Sequence, residues 1–315
     1  MRLLVTRRLP DANMAFAAER FETTFREEDR GLTPEEAARA LRDYDAVLPT
    51  LGDQFTGAAF GGGPFRCRIL ANFGVGVNHI DVAAAKAAGI AVTNTPGAVT
   101  DATADIAMML ILMACRRAGE GERMLRRGEW TGWAPTQMLG THVTGLTVGI
   151  VGMGRIGEAI ARRCHYGFGM EVLYFNRSRK AVGFPARQVA GLADLLRQSD
   201  VVVLAVPGGA ETRGLIGVAE LAAMKPSAFL VNIARGDVVD EDALIAALEA
   251  GRLAGAGLDV YAREPEVPAR LRALENVVLL PHLGTATLSV RAAMGRMALG
   301  NLVAFAEGRE VPNPV

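Results

Sequence analysis

Three side chains that can bind a carboxylate or move a proton each follow an apolar run of the sequence. Arg235 follows AFLVNIA, Glu264 follows AGAGLDV, and His282 follows NVVLLP. An arginine can bind a carboxylate through two parallel hydrogen bonds, and a histidine can donate a proton near neutral pH. Taken singly, each is better explained without a ligand: Arg235 as a loop cap, Glu264 as a solvated charge and His282 as a core histidine. Together they supply a carboxylate binder, a general acid and a charged partner for that acid.

These residues need a scaffold that brings the ends of separate runs together. From residue 146 the chain alternates helical patterns with the β-type runs LTVGIVG, MEVLYF, DVVVLAV, AFLVNIA, AGAGLDV and NVVLLP. The alternation predicts a doubly wound parallel sheet, which binds ligands at the carboxyl ends of its strands. The same rhythm in RLLVT, DAVLP and CRILANF predicts a second, smaller domain. The predicted fold is α/β, with a Rossmann-type domain at 100–286 inserted in a flavodoxin-like domain at 1–99 and 287–315.

A glycine motif lies at the start of the central series. Gly152, Gly154 and Gly157 form GxGxxG between a strand-like and a helical segment. In a Rossmann domain the first glycine permits a tight turn, the second admits a pyrophosphate and the third lets the helix pack on the strand. The helix N-terminus then faces the phosphates. A tight turn that binds nothing is the alternative, but the flanking strands and helix favour a dinucleotide.

The end of the second central strand indicates which dinucleotide binds. Domains that use NAD carry an acid about 20 residues after the glycine motif, where it accepts hydrogen bonds from the ribose hydroxyls. Here the neutral Asn176 takes that position, and Arg177 and Ser178 follow it. Arg177 can pair with a 2′-phosphate, and Ser178 can donate from its hydroxyl. We therefore predict NADP as the cofactor, with NADPH preferred over NADH; a solvated basic strand end is the alternative.

One segment predicts a long helix that must be covered on both sides. Residues 101–128, DATADIAMMLILMACRRAGEGERMLRRG, have a helical pattern whose middle is apolar on every face. Two layers of the same chain can cover such a helix, or a second subunit can cover one side. The pattern itself favours neither arrangement.

Composition argues against several classes of partner. The 34 basic and 34 acidic residues cancel, so no overall field attracts nucleic acid or an anionic membrane. The longest apolar run, residues 106–115, is about half of the ~20 residues that a membrane span needs, and the N-terminus lacks a signal-peptide pattern. Cys67, Cys115 and Cys164 form no CxxC pair. They predict neither a disulfide framework nor a metal site, and they fit a cytoplasmic location.

The motifs together resemble a known family. VGMGRIG, NIARGDVVDEDAL, GAGLDVYAREP and LLPHLGTAT, with NFGVGVNHIDVAAAKAAGIAVTNTPGAVTDATAD upstream, are similar to the D-2-hydroxyacid dehydrogenases, most of all to their glyoxylate/hydroxypyruvate reductase branch. The resemblance runs from about residue 45 to the C-terminus. It implies a split outer domain that binds the substrate around a central dinucleotide-binding domain. It also implies NADPH-dependent reduction of a small 2-keto acid to the D-2-hydroxy acid, in a homodimer joined through the helix near 101–118.

The resemblance implies a role for each member of the triplet Arg235, Glu264 and His282. Arg235 would bind the substrate carboxylate and polarise the keto oxygen. His282 would give that oxygen a proton as the hydride arrives. Glu264 would bond the far ring nitrogen and keep the imidazolium available.

Further contacts are implied by position. The backbone of Val75 and Gly76 would meet the substrate carboxylate, and Leu51 would line the pocket. Besides the glycine motif and residues 176–178, the implied cofactor contacts are Thr103, Arg155, Ile156, Val206, Pro207, Thr212, Ile233, Ala234, Asp259, His282 and Gly284. Trp130 or Trp133 would reach the active site of a partner subunit, or would pack under a loop of its own chain.

Two other functions share these motifs. Nucleotide-sensing corepressors that resemble the family keep the triplet, and dehydrogenases of larger 2-keto acids keep the whole scaffold. The short terminus NLVAFAEGREVPNPV argues against a corepressor and against a phosphoglycerate dehydrogenase with a regulatory extension. Formate dehydrogenases have glutamine where this chain has Glu264, which argues against that branch. Steady NADPH oxidation with glyoxylate would separate an enzyme from a sensor.

Overall fold

The structure is a computed structural model that describes residues 1–315. The chain forms two compact units, Met1–Val99 with Thr285–Val315, and Thr100–Gly284. The second unit is continuous in sequence and interrupts the first. No helix of either unit has both the length and the apolar character that crossing a bilayer requires.

The first unit is built on a five-stranded parallel sheet. Its strands are β1 (Arg2–Val5), β2 (Glu22–Phe25), β3 (Ala46–Leu48), β4 (Ile69–Ala71) and β5 (Ala91–Thr93). They lie in the order β2-β1-β3-β4-β5, and all neighbours are parallel. This is the flavodoxin-like order, so the predicted fold of this unit is confirmed. The order reverses at β1, which makes the carboxyl ends of β1 and β3 the edge where such a sheet binds ligands.

Helices cover both faces of this sheet because its inner strands β1, β3 and β4 are apolar on both sides. The helices are α1 (Asp11–Arg20), α2 (Pro34–Asp43), α3 (Val82–Ala87) and the last helix of the chain, Leu288–Ala306. Alternate residues of a strand point to opposite faces. Leu3 accordingly packs in one core with Leu299 of the last helix, whereas Leu4 packs in another with Leu41 of α2.

The second unit contains a seven-stranded parallel sheet. Its strands are β6 (Thr147–Val151), β7 (Glu171–Phe175), β8 (Arg187–Gln188), β9 (Val201–Leu204), β10 (Phe229–Asn232), β11 (Gly255–Leu258) and β12 (Val277–Leu279). They lie in the order β12-β11-β10-β9-β6-β7-β8, which is the Rossmann order with one strand added. All residues of β9 and β10 are buried, as expected for strands covered on both faces. The predicted Rossmann-type fold is confirmed.

Seven helices belong to the second unit. They are α4 (Thr100–Cys115), α5 (Ala118–Arg126), α6 (Arg155–Phe168), α7 (Leu192–Gln198), α8 (Val218–Ala223), α9 (Glu241–Glu249) and α10 (Ala269–Arg272). Helix α4 packs against α6 and against β10 and β11. Most of its apolar surface is therefore buried by its own unit, including Leu110 and Ile111, which are fully buried.

The prediction of one unbroken helix over 101–128 is wrong. The chain ends α4 at Cys115 and starts α5 at Ala118, with Arg117 in the left-handed region at φ 53°. The backbone carbonyl of Cys115 accepts a hydrogen bond from the amide of Thr141 at 2.7 Å. That contact, from a segment 26 residues away in sequence, takes the acceptor that a continuous helix would use. Arg117 instead pairs with Glu120 at 2.7 Å.

Candidate active site

The second unit brings His282 and Glu264 into contact. His282 follows β12, and Glu264 lies in the loop that follows the neighbouring strand β11. The N–H at Nδ1 of His282 donates to Oε2 of Glu264 at 2.8 Å. The bond orients the ring and leaves Nε2 as the nitrogen that can donate to a substrate. Both side chains are about one-third exposed, at 29% and 30%, so a ligand can reach them.

Glu264 is held in its ionised form. Burial raises the pKa of its carboxyl, but the hydrogen bond and charge of His282, the amide of Tyr261 and the charge of Arg235 outweigh burial and hold the pKa below its usual value. The amide of Tyr261 donates to Oε1 at 3.1 Å. Because the interaction of two charges is reciprocal, the Glu264 carboxylate stabilises the charged ring of His282.

A buried carboxylate fixes the backbone that carries His282. His282 lies in the left-handed region at φ 53°, which is uncommon for a residue with a side chain. Its amide donates to the carbonyl of Asp259 at 3.0 Å. The amides of Leu283 and Gly284 donate to the two carboxylate oxygens of Asp259 at 2.6 and 2.8 Å. Burial raises the pKa of Asp259, which is 2% exposed, while the two amides and His282 oppose that rise. Three hydrogen bonds to one residue thus stabilise an unfavourable conformation.

Arg235 lies just beyond the end of β10, the next strand of the same sheet. The side chain of the buried Asn232 donates to the Arg235 carbonyl at 2.9 Å and accepts from the Ala234 amide at 3.0 Å, which fixes the turn. The guanidinium donates to the Ala234 carbonyl at 2.6 Å. Burial lowers the pKa of Arg235, and the charges of Glu264 and Asp237 act against that decrease. A half-buried guanidinium therefore lies within the electrostatic influence of the His282–Glu264 pair.

The glycine motif forms a tight turn between β6 and α6. Gly152 has φ +99°, and a Cβ there would lie 2.8 Å from the carbonyl oxygen of Ala205. A Cβ on Gly157 would lie 2.0 Å from the carbonyl oxygen of Gly152. Gly154 is the N-cap of α6, and no atom lies within 4 Å of the place of its missing Cβ. The outer glycines are thus required by close packing, whereas the middle one opens space at a helix N-terminus, which fits a pyrophosphate.

Similarity to known proteins identifies the family. A model described as the D-isomer specific 2-hydroxyacid dehydrogenase NAD-binding domain matches residues 108–284, more than half of the chain. The chain belongs to the D-2-hydroxyacid dehydrogenase family. The resemblance inferred from the motifs is therefore confirmed, and with it the class of enzyme, an NAD(P)-dependent 2-hydroxyacid dehydrogenase.

Relatives of this dehydrogenase match along almost its whole length. It is 46% identical to a glyoxylate reductase from Thermococcus kodakarensis, over 99% of this chain and 94% of that protein. Among solved structures, the TT0316 protein of Thermus thermophilus matches with a TM-score of 0.92 and 42% identity over 100% of both chains. The NADPH-dependent glyoxylate/hydroxypyruvate reductase SmGhrB of Sinorhizobium meliloti, solved with NADP and malonate, matches with a TM-score of 0.89 and 36% identity over 100% of this chain and 96% of that one.

In this 2-hydroxyacid dehydrogenase, the segment after β7 is tied to the glycine turn. Oδ1 of Asn176 accepts from the amide of Met153 at 3.2 Å, and Nδ2 donates to the carbonyl of Ser178 at 2.8 Å. Asn176 is half-buried, while Arg177 and Ser178 are exposed. Arg177 forms an ion pair with Glu211, a residue that the sequence did not single out. No spacing rule links two residues in loops after different strands.

The other predicted cofactor contacts lie near the carboxyl ends of the strands of the seven-stranded sheet. Thr103 is buried and donates to the carbonyl of Gly284 at 3.2 Å. The hydroxyl of Thr212 donates to the carbonyl of Pro207 at 2.7 Å. The remaining positions follow strand ends or begin α6; Ile233 and Ala234 are buried, Ile156 and Val206 are half-buried, and Arg155 is exposed. The carboxylate of Asp259, predicted to contact the cofactor, holds the His282 loop.

The predicted substrate contacts Val75 and Gly76 belong to the first unit of the dehydrogenase, in the loop after β4. The side chain of Asn72 donates to the carbonyl of Gly76 at 3.0 Å, and that of Asn94 donates to the carbonyl of Val75 at 2.9 Å. No backbone carbonyl accepts a hydrogen bond from the amide of Val75 or of Gly76. Successive backbone N–H groups without an internal acceptor form a site for an anion.

Leu51, the third predicted substrate contact, lies in the turn after β3, which buried polar residues hold. Asp53 is fully buried and accepts from the amide of Thr50 at 2.7 Å and from the hydroxyl of Thr6 at 2.6 Å. Arg7, beyond the end of β1, donates to the carbonyl of Leu51 at 2.9 Å. Sequence reasoning missed Arg7 and Asp53, although polar residues directly after apolar strands were the available signal.

Trp130 and Trp133 lie in the segment between α5 and β6, apart in sequence from the predicted cofactor and substrate contacts. Their exposed fractions are 51% and 81%. The indole N–H of Trp130 donates to Gln137 at 3.3 Å. Neither ring belongs to a hydrophobic core, and the choice between a partner's active site and a loop of the same chain stays a prediction.

Proposed function

We propose that this protein reduces small 2-keto acids, chiefly glyoxylate and hydroxypyruvate, with NADPH. The observation that carries the proposal is the placement of Arg235 and the His282–Glu264 pair after three adjacent strands of one Rossmann sheet. The relatives named glyoxylate reductase and the NADP-bound reductase SmGhrB support the same substrate class. An arginine and an imidazolium beside each other suit a substrate that has a carboxylate next to a keto oxygen.

Each residue of the triplet has a defined task in this proposal. Arg235 binds the substrate carboxylate through paired N–H groups and polarises the keto oxygen. His282 donates the proton at Nε2 to that oxygen, which becomes the hydroxyl of the product. Glu264 stabilises the imidazolium before transfer and keeps Nε2 directed outward. A bound nicotinamide dinucleotide supplies the hydride that adds to the keto carbon.

The first unit is proposed to bind the substrate. The amides of Val75 and Gly76 suit a carboxylate, and the partly exposed Leu51 offers an apolar side chain. The turn that carries Leu51 is held by Arg7 and Asp53, so this contact is fixed before a ligand arrives. The corresponding assignment for residues 100–286 is dinucleotide binding, which the match to an NAD-binding domain supports.

NADPH is proposed as the preferred reductant. The open space over Gly154 suits the pyrophosphate. Asn176 replaces the acid that would repel a 2′-phosphate, and the exposed Arg177 and Ser178 are available for that phosphate. The preference is measured by comparing kcat/KM for NADPH with kcat/KM for NADH at saturating glyoxylate.

A panel of 2-keto acids tests the proposed substrate class. We expect kcat/KM to be highest for glyoxylate and hydroxypyruvate and to fall for pyruvate and for larger side chains. A maximum at a large 2-keto acid would favour the alternative dehydrogenase. Tight binding of NADPH without turnover of any acid in the panel would instead favour a nucleotide sensor.

A homodimer is proposed through the region of α4. Ile106, Met109 and Leu112 of this helix remain partly exposed, and the exposed Leu125 and Trp133 follow in sequence. Apolar side chains that stay exposed are of the kind that marks an interface. Sedimentation of Met109→Glu should show monomers, whereas Leu288→Glu, an exposed apolar position in the first unit, should leave the dimer intact.

A cytoplasmic location is also proposed. Cys67, Cys115 and Cys164 are buried and unpaired, and burial raises the pKa of each thiol to about 12. Unpaired thiols are usual in a reducing compartment. Cell fractionation tests this location.

A further inference from the structure

An ion pair joins the two segments that flank the glycine turn. In the sheet, β6 lies between β7 and β9. Arg177 lies just after β7, and Glu211 lies in the loop after β9. Nη1 of Arg177 donates to Oε2 of Glu211. The pair therefore connects the two loops on either side of the turn at residues 152–157.

The backbones of the two segments are held, while the charged groups remain in solvent. Asn176 is bonded to the amide of Met153, and Thr212 is bonded to the carbonyl of Pro207. The side chains of Arg177 and Glu211, by contrast, are 79% and 75% exposed. A change of partner at Arg177 therefore requires movement of side chains only.

We propose that Glu211 is a specificity-determining residue for the cofactor: it competes with the 2′-phosphate for Arg177 and so limits the preference for NADPH over NADH. The inference rests on the proposed function, in which Arg177 binds that phosphate. A 2′-phosphate can pair with Arg177 only if the Glu211 carboxylate leaves the guanidinium or shares it. A carboxylate that stays nearby repels the phosphate.

Binding of NADH requires neither loss of the Arg177–Glu211 pair nor approach of a phosphate to the Glu211 carboxylate. Its 2′-hydroxyl carries no charge, so the Arg177–Glu211 pair can persist when NADH binds. The missing acid at position 176 is thus partly replaced by Glu211, in the loop after β9. Because Glu211 is paired with Arg177, it weakens binding of the 2′-phosphate and leaves binding of a 2′-hydroxyl unchanged.

Binding of two adenosine fragments tests the proposal without turnover. Isothermal titration with 2′,5′-ADP and with 5′-AMP compares a ligand that has the 2′-phosphate with one that lacks it. In Glu211→Gln we expect 2′,5′-ADP to bind about threefold to tenfold more tightly, because the carboxylate that competes for Arg177 and repels the phosphate is removed. Binding of 5′-AMP should change less than about twofold, and the gain for 2′,5′-ADP should shrink at about 0.5 M salt.

Two further variants assign the effect to the pair. Glu249→Gln removes an exposed carboxylate from a comparable pair with Arg270, 2.6 Å apart on α9 and α10, and changes net charge equally. It should leave both affinities unchanged. In an Arg177→Ala background, Glu211→Gln should lose most of its effect, because a double-mutant cycle removes what depends on the partner.

The outcomes separate this inference from the proposed cofactor preference. If wild type binds both fragments equally but Glu211→Gln tightens 2′,5′-ADP alone, the preference is wrong and the role of Glu211 stands. If wild type prefers 2′,5′-ADP and Glu211→Gln leaves that affinity unchanged or weaker, the preference stands and the role of Glu211 is overturned. An equal gain in Glu249→Gln would also overturn it, since net charge would then explain the result.

Discussion

At the carboxyl ends of β10, β11 and β12, buried polar groups hold the functional side chains, whereas at the ends of β7 and β9 the functional side chains extend into solvent. Asp259 and Asn232 are 2% and 1% exposed and fix the backbones of His282 and Arg235. Arg177, in contrast, is 79% exposed and is paired with Glu211, which is 75% exposed. Proton transfer needs fixed distances, whereas recognition of a phosphate needs mainly charge. The two regions should therefore respond to substitution very differently.

The largest effect is expected at the proton donor. His282→Gln keeps a polar side chain, but its amide protons are not acidic enough to be transferred to the substrate. We therefore expect kcat with glyoxylate to fall by about 10²- to 10⁴-fold. Binding of NADPH, followed by fluorescence titration, should remain within a few-fold of wild type. Near-normal turnover in this variant would remove His282 as the general acid.

A somewhat smaller effect is expected at the carboxylate binder. Arg235→Lys keeps the charge but loses the two parallel N–H groups, so kcat/KM for glyoxylate should fall by about 10²-fold through a higher KM and a lower kcat. A matched control is Arg213→Lys, because Arg213 is exposed and pairs with Asp237. If Arg235→Lys were as active as the control, Arg235 would have no part in binding substrate.

The partner of the histidine should change pH dependence more than maximal rate. Glu264→Gln keeps a hydrogen-bonding group but removes the negative charge 2.8 Å from the His282 ring. The alkaline limb of the kcat/KM profile should then move to lower pH, with about a tenfold loss at neutral pH. A superimposable profile would exclude Glu264 from the mechanism.

The same carboxyl also links stability to acid. Because the pKa of Glu264 in the folded protein lies below its ordinary value, its contribution to stability is present above the ordinary pKa and is lost as pH falls through the lowered value. Glu264→Gln has no such titration. The difference in melting temperature between wild type and variant should therefore diminish as the solution is acidified into that range.

The smallest effect on rate is expected in the exposed region. The double variant Asn176→Asp, Arg177→Ala should abolish or reverse the NADPH preference, a change of about tenfold in the ratio of kcat/KM values, with little change in kcat. Asn176→Asp also removes one hydrogen bond: Oδ1 can still accept from the amide of Met153, but the donation from Nδ2 to the carbonyl of Ser178 is lost. Equal use of both cofactors by wild type would contradict the preference.

Sequence patterns predicted the functional side chains at the ends of β10, β11 and β12, but not the buried polar groups that hold them. Arg235, Glu264 and His282 could be grouped because parallel strands place their carboxyl ends along one edge. The left-handed conformation of His282 and the amides held by Asp259 could not be predicted, since they depend on contacts between residues more than 20 positions apart. The Arg177–Glu211 pair and the break at Arg117 depend on similarly distant contacts.

The stoichiometry of the reaction tests the central claim most directly. Glyoxylate is added to wild-type protein and NADPH, and glycolate formed is measured against NADPH oxidised. The account predicts sustained oxidation with one glycolate formed for each NADPH consumed. Binding of NADPH with no glycolate formed, or oxidation that does not depend on a 2-keto acid, would contradict it.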